Sequence, residues 1–386
     1  MTDPLAWIDD ESAAWSAQGL SRALIPNGRV MPGQVERKGR WFANFGSNDY
    51  LGLAADPRVI EAARLATERF GWGAGSSPLV AGWTEAHEAL VEALTRFEQC
   101  EAALLFPTGF AANLGAVSAL SGKGNAVYLD RLAHACLIDG ARLSGATLRV
   151  FPHNNAGRLA ETLDRDRGRF RRSLIVTEGV FSMDGDLAPL NELTVLSEHF
   201  GAMLLVDEAH GTGVFGADGR GASSACGVAD RVHVRVGTLS KALGSIGGFV
   251  VGSRRLIDWL VNHARTQIFS TSLPAAAAAA ATRALAIVQE QPWRRGRVHE
   301  LSNRLRGSLR AAGFDVGASA GPIVPVILGA PDRALALAAK LAQARLFVPA
   351  IRPPTVPPGT SRLRISVSAA HTDDDLDALI AALIAR

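Results

Sequence analysis

The stretch His233-Val-Arg-Val-Gly-Thr-Leu-Ser-Lys241-Ala-Leu-Gly-Ser-Ile-Gly-Gly248 is the one on which the reading of the chain turns. A short β-branched run stops at Gly237 and Thr238, Lys241 follows three residues later, and glycines then crowd the chain. Lysine is scarce: Lys38, Lys123, Lys241 and Lys340 are the only ones, so nearly all positive charge is arginine. Lys38 lies in a polar Glu-Arg-Lys-Gly-Arg turn, Lys123 in a Ser-Gly-Lys-Gly turn and Lys340 in an alanine-rich helical stretch, all solvated settings. Lys241 alone sits at a strand end, between hydroxyl residues and glycines, where an amine can be desolvated and used as a nucleophile.

Outward from that strand, short β-branched or wholly apolar runs recur at 102–106, 126–129, 148–151, 174–177, 203–207, 232–236 and 249–251, with helical stretches between most of them. Such runs suit strands buried on both faces, and the alternation predicts an α/β fold with a mostly parallel central sheet covered by helices. Functional residues then belong at the carboxyl ends of the strands. Past residue 288 the pattern changes to helices at 293–312, 331–344 and 373–385 with strands at 323–328, 347–351 and 362–367, a smaller α+β domain. The expected organisation is an N-terminal helix and arm over 1–45, a large α/β domain over 46–288 and a small C-terminal domain over 289–386. The helix at 1–19 would place Leu5, Ile8 and Trp15 on one side, and residues 20–40 read as a polar arm.

Composition narrows the function classes. With 48% apolar residues, 39 glycines and 20% charged residues in 386, the chain is globular with ample length for a core. A net charge of +3 from scattered arginines, without an aromatic-interleaved basic patch, argues against nucleic acid and favours an anionic small molecule. Cys100, Cys136 and Cys226 have no metal-like spacing and cannot pair off completely, which suits a reducing compartment. No histidine–carboxylate spacing fits a metal site. No apolar run spans a bilayer and the N-terminal stretch is acidic, so a cytoplasmic protein without membrane contact is expected.

Met203-Leu-Leu-Val-Asp-Glu-Ala-His-Gly-Thr-Gly-Val-Phe-Gly216 delivers Asp207 at the end of an apolar strand and His210 three residues later. Its Asp-Glu-Ala-His matches a helicase motif, but the phosphate loop that motif needs is missing. The glycine pattern at 211, 213 and 216 stands too far from its strand for a dinucleotide fingerprint. A buried aspartate, a histidine and a later lysine at strand ends have a better joint explanation in pyridoxal 5′-phosphate. That cofactor needs a lysine for its Schiff base, a carboxylate for its ring nitrogen, and backbone N–H groups with hydroxyls for its phosphate. Thr108-Gly-Phe-Ala-Ala-Asn113 opens a helix after a strand and reads as the phosphate cradle. His134 and Glu178-Gly-Val-Phe-Ser-Met-Asp-Gly185 follow further strands.

Taken together, Ser47-Asn-Asp-Tyr-Leu-Gly52, Glu178-Gly-Val-Phe-Ser-Met-Asp-Gly-Asp186, Asp207-Glu-Ala-His-Gly-Thr-Gly213, Ser270-Thr-Ser-Leu-Pro274 and Ile351-Arg-Pro-Pro-Thr-Val-Pro357 give a chain that resembles the α-oxoamine synthases, from about Leu20 to the C-terminus. The resemblance implies the aspartate-aminotransferase fold (fold type I of the pyridoxal-phosphate enzymes) and a homodimer with shared active sites. It implies Lys241 as the Schiff-base residue and proton shuttle, Asp207 as partner of the ring nitrogen and His134 on the ring face. His210 and Ser182 would lie near the ring's phenolic oxygen. Gly109, Phe110 and Thr238 would position the cofactor and its phosphate, and Thr271 and Ser272 would reach the phosphate of the neighbouring subunit. Arg352 would bind the amino-acid carboxylate, Arg22 and Thr355 would contact substrate near the entrance, and Asn48 and Glu178 would assist. The last of the five stretches points to the biotin branch, which condenses L-alanine with a pimeloyl thioester carried on coenzyme A or an acyl carrier protein. Branches using glycine or serine with another acyl-CoA are the alternative. Gly73-Ala-Gly-Ser-Ser-Pro-Leu79 departs from the family's denser Gly/Ser run, with Pro78 stiffening the loop and Leu79 replacing a polar residue, which bears on acyl specificity. His87, His153, His199, His263 and His299 fit no motif and read as surface or core filler.

Overall fold

A computed structural model describes residues 3–385, and in it the chain forms two compact units. One takes the described residues up to Ser47, Met183–Gly185 and those from His299 onward; the other takes Asn48–Ser182 and Asp186–Val298.

The first unit begins with the helix Ala6–Ala17, none of whose residues is buried, so the apolar side expected from Leu5, Ile8 and Trp15 faces outward in the chain taken alone. Residues 20–40, expected as a polar arm, instead lead into a meander of β1 (Val30–Met31), β2 (Gln34–Arg37) and β3 (Arg40–Asn44). The β2–β3 connection is the dipeptide Lys38-Gly39, with φ of 50° and 71°. Positive φ at both central residues is what a tight two-residue hairpin demands, and lysine in the first position hides it from a search for Asn-Gly.

The second unit is built on seven strands: β4 (Ala102–Phe106), β5 (Ala126–Asp130), β6 (Thr147–Phe151), β7 (Ser173–Glu178), β8 (Met203–Asp207), β9 (Val234–Thr238) and β10 (Gly248–Gly252). Their order is β4-β10-β9-β8-β7-β5-β6; the β9-β8-β7-β5-β6 run is parallel, and β10 is antiparallel to both neighbours. The sheet is therefore mostly parallel. β4, β5, β9 and nearly all of β7, β8 and β10 are buried, which is why they read as unbroken apolar runs rather than alternating ones. β6, at the edge, is only partly covered. Leu104, Phe106, Val127, Leu129, Val176, Leu205, Val236 and Val250 join Ala116 and Val117 of the helix Gly109–Leu120 in one core. The parallel strands β5, β7, β8 and β9 end at Asp130, Glu178, Asp207 and Thr238, and the register sets Glu178 opposite Asp207.

The first unit continues after the larger one with β11 (Ile323–Gly329), β12 (Leu346–Phe347), β13 (Ala350–Ile351) and β14 (Ser361–Ser366). β11, β14 and β13 form one sheet, while β12 pairs in parallel with β3 and so ties the N-terminal meander to the C-terminal segment. The single strand expected over 347–351 is broken around Pro349, whose missing N–H cannot join a ladder. The closing helix Asp373–Ile384 starts from a capping box between Thr372 and Asp375. Among the described residues no helix is long and apolar enough to cross a membrane.

Candidate active site

β9 delivers Thr238 at its end, and the chain then folds back on itself, with Leu239 N–H donating to Gly247 O (3.0 Å) and Gly244 N–H to Lys241 O (2.9 Å). Thr238 Oγ1–H donates to Gly247 O at 2.9 Å and accepts from the Ser240 hydroxyl at 2.7 Å. The glycines after Lys241 have a reason. A Cβ on Gly248 would stand 2.5 Å from Thr108 O and 2.6 Å from Gly109 Cα, so only glycine lets β10 run past the start of the helix Gly109–Leu120. Thr108 caps that helix, its Oγ1 accepting from Ala111 N–H at 3.0 Å. A Cβ on Gly109 would sit 3.0 Å from Thr238 Oγ1, so these two expected cofactor residues are neighbours. Phe110, half exposed in the first turn, meets His134 edge-on at 6.3 Å. His134 itself caps the helix Ala135–Ser144, its Nδ1 accepting from Cys136 N–H at 3.3 Å.

Lys241 reaches into a buried hydrogen-bond chain. Its Nζ lies 2.9 Å from His210 Nε2, His210 Nδ1 lies 2.7 Å from the Tyr50 hydroxyl, and that hydroxyl lies 3.2 Å from Asn48 Oδ1. One direction of donation satisfies all three: Lys241 to His210 Nε2, His210 Nδ1–H to Tyr50, Tyr50 O–H to Asn48. Tyr50 and His210 are both buried, and Tyr50 has no counterpart in the sequence reading beyond its place in the Ser47–Gly52 motif.

The strand ends supply two buried carboxylates. Asp207 accepts from Asn113 Nδ2 (2.7 Å) and from Ala209 N–H (2.8 Å), so both its oxygens are oriented. Asn113, quoted in the cradle but given no role, is the residue that aims Asp207. Glu178 lies opposite Asp207 in the sheet, and its Oε2 accepts from Ser182 N–H at 3.1 Å. Burial first, and the Asp207 charge second, push the Glu178 carboxyl well above the usual carboxylate range. On the first of these His134 is partly desolvated as well, which lowers its pKa and keeps the imidazole neutral, with the pull of Asp207 opposing.

Thr271 and Ser272 belong to a different neighbourhood of the same unit. Ser272 N–H donates to Ser76 O at 2.9 Å, and His87 Nε2 donates to Leu273 O at 2.7 Å while its Nδ1 accepts from Thr84 N–H at 3.0 Å. His87, read as filler, is fully buried and ties Leu273 to Thr84, while the Ser272–Ser76 bond links the same segment to the glycine-rich loop; burial lowers the His87 pKa and keeps it neutral. Trp72, Leu79, Val80 and Phe269, around that segment, are exposed apolar side chains.

Arg22, Arg352 and Thr355 come together in the first unit. Arg22 Nη2 donates to Pro353 O (3.1 Å) and Thr355 Oγ1 (3.4 Å); Arg352 donates to Gly19 O and, at 3.3 Å, to Ser21 O. Among the described residues both guanidinium groups bond neutral oxygens, and the Arg352 pKa is lowered by burial and then by the charge of Arg22. Two adjacent cations without a carboxylate suit an anionic group.

A strand-end lysine in contact with a buried histidine, an oriented buried aspartate on the adjacent strand and a glycine-opened helix N-terminus together define a pyridoxal-phosphate enzyme. The residues fit that cofactor: an oriented Asp207 carboxylate suits a ring nitrogen, Lys241 offers an amine, and the helix N-terminus at Gly109 lies against the Thr238 hydroxyl, donors of the kind a phosphate requires. Residues 42–383 match the family model described as aminotransferase class I and II. The 8-amino-7-oxononanoate synthase of Anaeromyxobacter dehalogenans (strain 2CP-1) is 51% identical over 381 residues, 99% of this chain and 95% of that protein. Among solved structures, the serine palmitoyltransferase of Sphingomonas wittichii has a TM-score of 0.93 at 35% identity, covering 99% of this chain and 98% of that one. An 8-amino-7-oxononanoate synthase from Francisella tularensis has a TM-score of 0.74 at 29% identity, covering 88% and 96%. The chain belongs to the class I and II aminotransferase family and, within it, to the 8-amino-7-oxononanoate synthases, pyridoxal-phosphate-dependent acyltransferases of biotin biosynthesis.

Proposed function

We propose that the protein condenses L-alanine with a pimeloyl thioester, releasing carbon dioxide and the free thiol carrier and forming 8-amino-7-oxononanoate. The observation that carries the reading is the Lys241 amine 2.9 Å from His210, beside an oriented Asp207, in a chain half identical to proteins of that name. Pyridoxal phosphate, when bound, supplies an electron-withdrawing ring that stabilises negative charge on the amino-acid α-carbon.

The chain's own residues do the rest. Asp207 would hold the proton on the ring nitrogen, and Asn113 keeps its carboxylate aimed. Lys241 Nζ would take the α-proton and return one at the end, with His210 and Tyr50 orienting the amine; general-base positioning of this kind is worth about 10²–10⁴-fold. His134, Ser182, Gly109, Phe110 and Thr238 would hold the cofactor. Arg352, flanked by Arg22 and Thr355, would bind a substrate carboxylate by charge-assisted hydrogen bonds. Thr271 and Ser272 would serve the site of a second copy; the exposed Trp72, Leu79, Val80 and Phe269 around them support a homodimer. Three free cysteines agree with a cytoplasmic setting.

The likeness to serine palmitoyltransferase favours a second reading, in which another amino acid and acyl-CoA are used. Thiol release separates the two. Turnover with L-alanine and pimeloyl-CoA, and none with serine and a long acyl-CoA or glycine and acetyl-CoA, is the expected result. Turnover confined to serine or glycine overturns the proposal.

A further inference from the structure

A second cluster at the strand ends of the larger unit is left unused by the roles above. β5 ends in Asp130, the turn after β6 carries His153 and Asn154, and the loop after β7 returns through Asp186. His153 bridges the two carboxylates, Nδ1–H donating to Asp130 Oδ1 at 2.9 Å and Nε2–H to Asp186 Oδ2 at 2.8 Å. Asn154 repeats the bridge: its N–H donates to Asp130 Oδ2 (2.8 Å), and its side-chain amide donates to Asp186 Oδ2 (2.8 Å) and Leu187 O (3.0 Å). Asn154 stands at φ 52°, and these three bonds hold it in that uncommon conformation. With a carboxylate on each ring nitrogen, the imidazolium is the one form of His153 that can donate to both.

What the bridge holds is the loop between Gly179 and Ala188. Val180 and Leu187 pair across its stem, Phe181 N–H donates to Asp186 O (3.0 Å), and Ala188 N–H donates to Gly179 O (3.2 Å). The Phe181 ring meets the His153 ring edge-on, centroids 4.4 Å apart. Ser182 follows Phe181 directly and is anchored from the other side by Glu178. We propose that His153 is a positioning residue for the condensation: the Asp130–His153–Asp186 bridge fixes this loop so that Ser182 is presented to the cofactor. The inference rests on the reading of Ser182 as a cofactor contact. Asp130 and Asp186 are buried and are the charged groups facing the ring. Burial alone would lower the pKa of His153, and the two bonds override it, pushing it up to about 10.

Two measurements on the full chain test this. In histidine-labelled protein at pH 8, NMR should show one side chain protonated on both nitrogens, its signal absent from His153→Gln; a neutral His153 overturns the bridge. Cofactor release, followed without alanine or acyl donor and so independent of the substrates proposed, is then compared among wild type, His153→Gln, Ser182→Ala and the double variant. His153→Gln should release cofactor about tenfold faster, the scale of one charge-assisted hydrogen bond. The double variant should be no faster than Ser182→Ala. Additive losses, or unchanged release from a folded His153→Gln, overturn the proposal. Unchanged release from Ser182→Ala overturns it too, and an intact NMR signature then assigns the failure to Ser182 rather than to the bridge. Asp186→Asn, which preserves shape, replaces His153→Gln if that variant does not fold.

Discussion

The two units handle charge in opposite ways. In the larger one, ionisable groups sit side by side at strand ends, Lys241 on His210 and Glu178 beside Asp207, with Asn113 aiming the Asp207 carboxylate. In the smaller one, Arg22 and Arg352 bond backbone carbonyls and a hydroxyl, and a guanidinium does not titrate in a protein. Its buried histidine, His371, is locked neutral, Nδ1 accepting from Ser368 N–H at 3.1 Å and Nε2 donating to Asn44 O at 3.2 Å. The difference teaches a division of labour. Strand ends of a parallel sheet bring movable protons together, whereas an arm held by guanidinium groups offers charge that stays put, which is suited to recognition rather than chemistry.

Removing a group from each side gives the sharpest contrast. Lys241→Ala should retain the fold and lose turnover by at least about 10²–10⁴-fold, because it removes the amine proposed to move the α-proton. Single-turnover rates with alanine would show it, and near-normal turnover would break the comparison outright. Arg352→Gln should act on binding instead. Losing one charge-assisted contact is expected to raise the amino-acid KM about 10- to 100-fold while kcat stays within about threefold. A fall in kcat as large as that of Lys241→Ala would mean the smaller unit takes part in chemistry.

Much of the larger unit was legible because its signals are local. β4 to β10 appear as unbroken apolar runs, and Asp207, Thr238 and Glu178 are the last residues of their strands. What could not be read was the partner of each residue. Tyr50 and His210 are 160 residues apart, Asn113 and Asp207 94, His87 and Leu273 186, and no local pattern announces such contacts. That is why Tyr50 and Asn113 carried no role, and why His87 and His153 read as filler. In the smaller unit even local structure was hidden: β1 to β3 are short, partly exposed strands joined by a Lys-Gly turn, without the apolar run or Asn-Gly signal that marks a hairpin.

His371 makes the contrast measurable as pH. Burial lowers its pKa to about 4, so the folded chain refuses a proton that the unfolded chain accepts near 6.5. Stability should therefore be complete above about pH 6.5 and fall as pH drops toward 4, by about 3 kcal/mol at full development, and no further on this account below that. Urea unfolding of wild type and His371→Gln across that window checks it. The variant, less stable at neutral pH through its lost bonds, should show a flatter profile; parallel profiles would remove His371 as the cause.

The smallest expected effect concerns Tyr50, and it asks whether the strand-end chain acts as a unit. Tyr50→Phe deletes one buried hydroxyl and with it the 2.7 Å contact at His210 Nδ1 that favours one tautomer. If the direction of donation runs from Lys241 through His210 and Tyr50 to Asn48, the variant frees His210 to carry its proton on Nε2, where it would confront the Lys241 amine rather than accept from it. One neutral hydrogen bond is worth about 0.5–1.5 kcal/mol net, so kcat should fall only about 2- to 12-fold. The informative part is where the loss appears. It should fall on the step in which the α-proton leaves, seen as a larger isotope effect with α-deuterated alanine, and leave cofactor release unchanged. A loss confined to cofactor binding would show that Tyr50 serves the ring and that Lys241 is oriented by other means.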